Sequence, residues 1–269
     1  MLADLSTYSL QDFLLFDAAI YRDLFAQIDG RYWPIPVVGV AAALVLLALA
    51  ARRHRVAAPG SLVLLAAAFA TSAWLFFLDV YATINWAAVY PGWAFLAEAA
   101  LLLMAAFILG NRPVPRRPHL SRWFGPGAVL VLYGLFGHPL AGFLFGHEPG
   151  GLEWFTLAPD PTAIVAIGLL AIVIRRRWLS VVLAALPLGW LLASAATLWL
   201  LVASGEALLL AALAMFGLVV LLLPNRRPAG TASDSPLPAI VPRDEIAPSQ
   251  NVAATLVPTS PLGTGTRRD

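Results

Sequence analysis

The sequence contains no cysteine and no lysine, and only 12% of its 269 residues are charged. Without cysteine there can be no disulfide, thiolate metal site, iron–sulfur cluster or dithiol redox chemistry. Without lysine there is no retinal Schiff base and no nucleotide-binding Gly-x-x-x-x-Gly-Lys-Ser/Thr loop. The charged fraction is about half that of soluble domains. With 60% apolar residues and a mean hydropathy of +0.81, it excludes both an ordinary soluble enzyme and a disordered chain. All seventeen basic residues are arginine and the net charge is only +2, so no nucleic-acid partner is indicated. Gly-x-Gly-x-x-Gly, His-Glu-x-x-His and Gly-x-Ser-x-Gly are also missing. The motifs therefore assign no catalytic residue, metal ligand or cofactor.

What is present is hydrophobic length. Residues 1–31 hold seven charges, residues 32–224 only sixteen, and residues 225–269 nine together with seven prolines. A helix crossing a hydrocarbon core of roughly 30 Å needs about 20 mostly apolar residues. Seven stretches qualify, near 33–51, 61–81, 92–110, 124–145, 157–174, 178–202 and 205–224. Arginine runs occupy alternate boundaries, at Arg52–Arg55, Arg112–Arg122, Arg175–Arg177 and Arg226–Arg227, while the other loops carry Glu148, Glu153, Asp160 and Glu206. The expectation is an all-α, polytopic bundle of seven transmembrane helices, with the N-terminus outside and the C-terminus cytoplasmic. The fifth span is short, because Asp160 followed by Pro161 reads as an N-cap and first helical residue.

Residues 1–31 read as an outer amphipathic segment. Ser9 and Asp12 resemble a capping box with Tyr8 and Phe13 as its staple, and Leu24, Phe25 and Ile28 extend an apolar stripe at helical spacing. That helix would lie on the outer membrane face or pack on loops of its own domain. Residues 225–269 read as a disordered cytoplasmic tail. Spans 1–3 and 5–7 share a sense and allow a three-plus-one-plus-three repeat, but the Pro-Gln dipeptide of known repeats of that kind is missing.

Ionisable residues inside spans mark a pathway, a pair or a site, because a charge in hydrocarbon costs several kcal/mol. Asp79, Glu98 and His138 all fall in the outer half of the bilayer, with Glu98 and His138 expected to meet in the interior. Asn85 and His147 are candidates at the outer edge. His54 and His119 sit in arginine loops, which leaves His138 as the single intramembrane histidine and argues against haem. Tyr81, Trp86, Tyr90 and Trp93 form the expected interfacial belt. The reading is a small-solute or proton-linked permease with an outward-facing polar site. The alternatives are a non-catalytic scaffold or subunit of a larger membrane complex, and an intramembrane enzyme acting on a lipid. Expected partners are the bilayer and another membrane protein.

Several segments resemble an uncharacterised family of bacterial integral membrane proteins, catalogued as a domain of unknown function. They are Tyr8-Ser9-Leu10-Gln11-Asp12-Phe13-Leu14 with Trp33-Pro34, Ile84-Asn85-Trp86-Ala87-Ala88, Pro159-Asp160-Pro161-Thr162-Ala163-Ile164, and Pro187 with Trp190 and Ser194-Ala195-Ala196. Asp160 stands where that pattern carries Cys, and Ala163 where it carries a second Thr. The resemblance implies a bacterial cytoplasmic membrane and brings no activity with it.

Overall fold

A computed structural model describes residues 18–111, 124–202 and 205–223. The described residues form helices and connecting turns, with no strand. We number the helices α1 (Ala18–Tyr32), α2 (Pro34–Ala51), α3 (Ala57–Ile84), α4 (Trp86–Gly110), α5 (Phe124–Leu144), α6 (Pro159–Val173), α7 (Arg177–Val202) and α8 (Gly205–Leu222). Six of them, α2 to α5 with α7 and α8, are long and apolar enough to cross a membrane. The chain is an integral membrane protein with several such helices.

The remaining apolar helix, α6, has 15 residues, or about 22 Å at 1.5 Å per residue. It is the centre of the bundle. Every residue from Pro159 to Ile172 is buried, and α2, α3, α5, α7 and α8 all pack against it. A helix that is apolar all round must be covered all round; here neighbouring helices provide the cover. The outer helices instead expose large apolar side chains such as Val38, Phe107, Leu144 and Trp178, the surface a bilayer requires.

The α5–α6 contact is unusually close. A Cβ on Gly168 would lie 2.6 Å from the carbonyl oxygen of Gly127, and one on Gly127 2.8 Å from that of Gly168. Small residues at a crossing let two membrane helices approach backbone to backbone. Two helices also contain π-helical segments, Ser72–Tyr81 in α3 and Tyr133–Gly137 in α5. The second ends directly before His138-Pro139. Proline has no N–H to offer the carbonyl four residues back, so the regular ladder breaks at that point.

Two sequence expectations change at this level. The helix expected to begin at Pro161 begins at Pro159, with Ala158 as its N-cap residue. Asp160 therefore lies inside the first turn and is free to bond elsewhere. Leu24, Phe25 and Ile28 of α1, the stripe available to lipid, are buried in the protein core. Phe25 stacks on Phe76 at 4.8 Å, and α1 packs on the π segment of α3 and on the Pro149–Gly151 turn. The proposed cap at Ser9 and Asp12, the arginines at 112–122 and the tail lie outside the described residues.

Candidate functional site

The irregular segment between α5 and α6 begins with a glycine-terminated helix end. Gly146 has φ +89°. Its N–H donates to the carbonyl of Phe143, and that of His147 to the carbonyl of Gly142. This six-to-one and five-to-two pattern is a Schellman cap, and it turns His147 back over the helix end. The imidazole Nε2 of His147 then lies 3.3 Å from Glu206 Oε2, in the first turn of α8.

Further along, Gly151, Glu153 and the run Phe155–Ala158 are buried. Non-helical backbone is tolerated at depth where it is enclosed by protein or lines a cavity. Thr156 holds φ +81°, a left-handed conformation that a β-branched residue adopts only under constraint. Its N–H donates to Thr162 Oγ1, whose hydroxyl donates to the Ala158 carbonyl at 2.7 Å. Thr156 Oγ1 itself is buried with no hydrogen-bond partner among the described residues.

This segment and the start of α6 bring three donors together. His138 Nε2 lies 3.2 Å from Glu153 Oε2. One donor atom from each of His138, Glu153 and Asp160 falls within 4.8 Å of the other two, and all three residues are buried. Asp160 is held from α7: Trp190 Nε1 donates to Oδ1 at 2.6 Å and Ser194 Oγ donates to Oδ2 at 2.7 Å. Trp190 is fixed in turn by edge-on contacts with Phe77 and Phe95, at 4.9 and 5.5 Å. Tyr133 lies edge-on to His138 at 6.3 Å, and its buried hydroxyl has no hydrogen-bond partner among the described residues.

Among the described residues, the ion pairs of these acids are with histidine and none is with arginine. Burial pushes the Glu153 carboxyl up to about 8; the nearby charge of Glu206 adds to the rise and His147 opposes it. Asp29 of α1 is pushed up to about 7, first by burial and then by the charge of Glu153. Its Oδ2 is buried and without a hydrogen-bond partner among the described residues.

The residues singled out from sequence are distributed unevenly around this cluster. His138 belongs to it, but its partner is Glu153 rather than Glu98. His147 joins it through Glu206. Glu98 is buried, and its Oε1 has no hydrogen-bond partner among the described residues. The reason is packing: α4, which carries Glu98, packs on α3 and touches α7, whereas α5 packs on α6 and α8. Asp79 is exposed. Asn85 is a local cap, accepting from the Ala87 N–H at 3.0 Å and donating to the Tyr81 hydroxyl at 3.2 Å. Glu153 and Glu206 enter the sequence reading only as loop markers of topology, and Asp160 as one of these and as a helix N-cap. A signal was available in Asp160, an acid at the start of a helix too short to span, with Trp190 and Ser194 in a span-length helix nearby.

These features define a polytopic helical membrane protein with a buried acid–imidazole cluster at the N-terminal end of its central helix. The chain belongs to DUF6064, a family of unknown function, whose match covers residues 18–232. No curated protein and no solved structure matches it.

Proposed function

We propose that the chain is a small-solute or proton-linked permease of a bacterial cytoplasmic membrane, with the cluster around Asp160 as its outward-facing polar site. The observation that carries this reading is the short central helix. Its 15 residues leave about 8 Å of a 30 Å core unspanned, and the irregular segment that precedes it is largely buried in protein, which supports such an interruption. Membrane transporters place binding sites at such interruptions, where helix ends and unpaired backbone meet a polar ligand.

The same reading counts α6 as the seventh crossing. Arg52, Arg53 and Arg55 at one end of α2 and Arg175 to Arg177 at one end of α6 are exposed, and the positive-inside rule then assigns both to the cytoplasm. The cluster, at the other end of α6, faces outward. A scaffold has less support, since buried carboxyls with unpartnered oxygens weaken a fold without structural return. An intramembrane enzyme is the second reading, favoured by the convergence of His138, Glu153 and Asp160.

The chain has no native cysteine, so single-cysteine labelling reports cleanly. In sealed cells, Ser194→Cys should react with a membrane-impermeant thiol reagent added outside. A panel of sugars, amino acids and organic acids should contain a class that slows the reaction. A folded Ser194→Cys protein that never reacts from outside, with or without solutes, overturns the permease reading.

A further inference from the structure

We propose that His138, Glu153 and Asp160 hold a divalent transition-metal ion of the zinc type. The inference uses the same cluster as the permease reading but none of its transport claims. The donors are one imidazole nitrogen and two carboxylates, a set suited to borderline divalent ions and lacking the thiolates that select softer ones. Three protein donors, with water or substrate completing the set, is the make-up of catalytic zinc sites.

The distances suit such an ion. Bonds of about 2.1 Å in tetrahedral geometry set donors about 3.4 Å apart. The His138–Glu153 pair is already at 3.2 Å, and the third donor lies within 4.8 Å of both. Glu153 sits on the segment between two helices rather than within one, so its carboxyl has the freedom to adjust toward an ion. Asp160 is held in place. Its two oxygens accept from Trp190 and Ser194, and each carboxylate oxygen keeps a further lone pair for a metal. Outer hydrogen bonds of this kind orient metal-ligating carboxylates.

A second observation is independent of the three donors. Thr156 is 4% exposed, is held in a strained conformation between Glu153 and Asp160 in the chain, and has a hydroxyl with no hydrogen-bond partner among the described residues. Tyr133, whose ring touches His138, has the same unpartnered hydroxyl. A buried hydroxyl without a partner calls for a polar group beside it, and a water on the metal would offer one to Tyr133, whose ring borders His138.

The test is metal content and affinity of the full chain, purified in detergent without added chelator. Mass spectrometric metal analysis should find about one zinc-type ion per chain, and stripped protein should bind added Zn²⁺ with the same stoichiometry by calorimetry. His138→Gln and Glu153→Gln should abolish binding. Ser194→Ala, which removes only an outer hydrogen bond, should weaken it by about tenfold to a hundredfold. His54→Ala, in an exposed turn, should bind like the parent chain. Folded wild-type protein that carries no metal and takes up no Zn²⁺ overturns the proposal, as does full affinity in a folded Glu153→Gln variant. Metal bound without any outside labelling at Ser194→Cys would sink the permease reading and leave the metal site standing. Labelling without metal would do the reverse.

Discussion

Trp190 and Asp160 are joined by a 2.6 Å hydrogen bond across the α6–α7 contact, 30 residues apart in sequence. The indole ring is packed on Phe77 and Phe95, so a rigid aromatic core in α3 and α4 sets the position of a carboxylate in the central helix.

Trp190→Phe keeps most of that packing and removes the donor. It should lower stability by about 1.5–3 kcal/mol, the usual value of a hydrogen bond to a charged group. Trp190→Ala should lose about 3–5 kcal/mol through the added cavity. Thermal unfolding in detergent ranks the two, and equal midpoints for Trp190→Phe and the parent would show that the bond contributes nothing.

Gly168→Ala should destabilise by about 1–3 kcal/mol, the range for overpacking, because the new methyl meets the Gly127 carbonyl and the Val131 amide, atoms of a helix backbone that cannot turn aside. Gly189→Ala is the matched control. Nothing lies within 4 Å of its Cβ, and alanine favours a helix interior, so stability should hold or rise slightly. A reversed order in denaturation midpoints would contradict the close α5–α6 crossing.

Asp29 makes stability depend on pH in a defined direction. Its folded value of about 7 lies above the ordinary 3.8, so the folded state binds this proton more tightly than the unfolded state does. That contribution is complete below about pH 4 and is lost as pH rises toward 7. Across that window the unfolding midpoint of the parent should fall relative to that of Asp29→Asn. A parent that gains on the variant with rising pH would mean that Asp29 is ionised in the fold.

Arg55→Cys and Arg176→Cys should both resist impermeant thiol reagents in sealed cells and react after permeabilisation, while Gly150→Cys should react at once. All three positions are exposed. If α6 does not cross the membrane, Arg55 and Arg176 fall on opposite sides and their labelling separates.

Helix positions were legible in the sequence because length and hydropathy decide them. The stretches expected near 33–51 and 205–224 are helices at Pro34–Ala51 and Gly205–Leu222. The central place of α6 was not legible, because lipid-facing and protein-facing positions are equally apolar in a membrane bundle. His138 was legible as a buried ionisable group, but its partner was not. Glu98 and His138 lie in consecutive spans, which usually pack together, but the chain sends α5 against α6 and α8. Glu153 reads in the sequence only as a loop acid that marks topology, and loops are normally solvated. Only the folded backbone shows that this loop is buried.

The position of α6 also bears on how the protein enters its membrane. With 15 residues, an acid in its first turn and three arginines just beyond its end, it is a weak insertion signal by itself. Its 26-residue successor α7 is a strong one. The two form a hairpin around Arg175–Arg177, so α6 is best delivered together with α7, into a space already bounded by α2, α3 and α5. Assembly of the site is thus tied to the order of synthesis: the two hydrogen bonds that hold Asp160 can form only once Trp190 and Ser194, made 30 and 34 residues later, have been added to the chain.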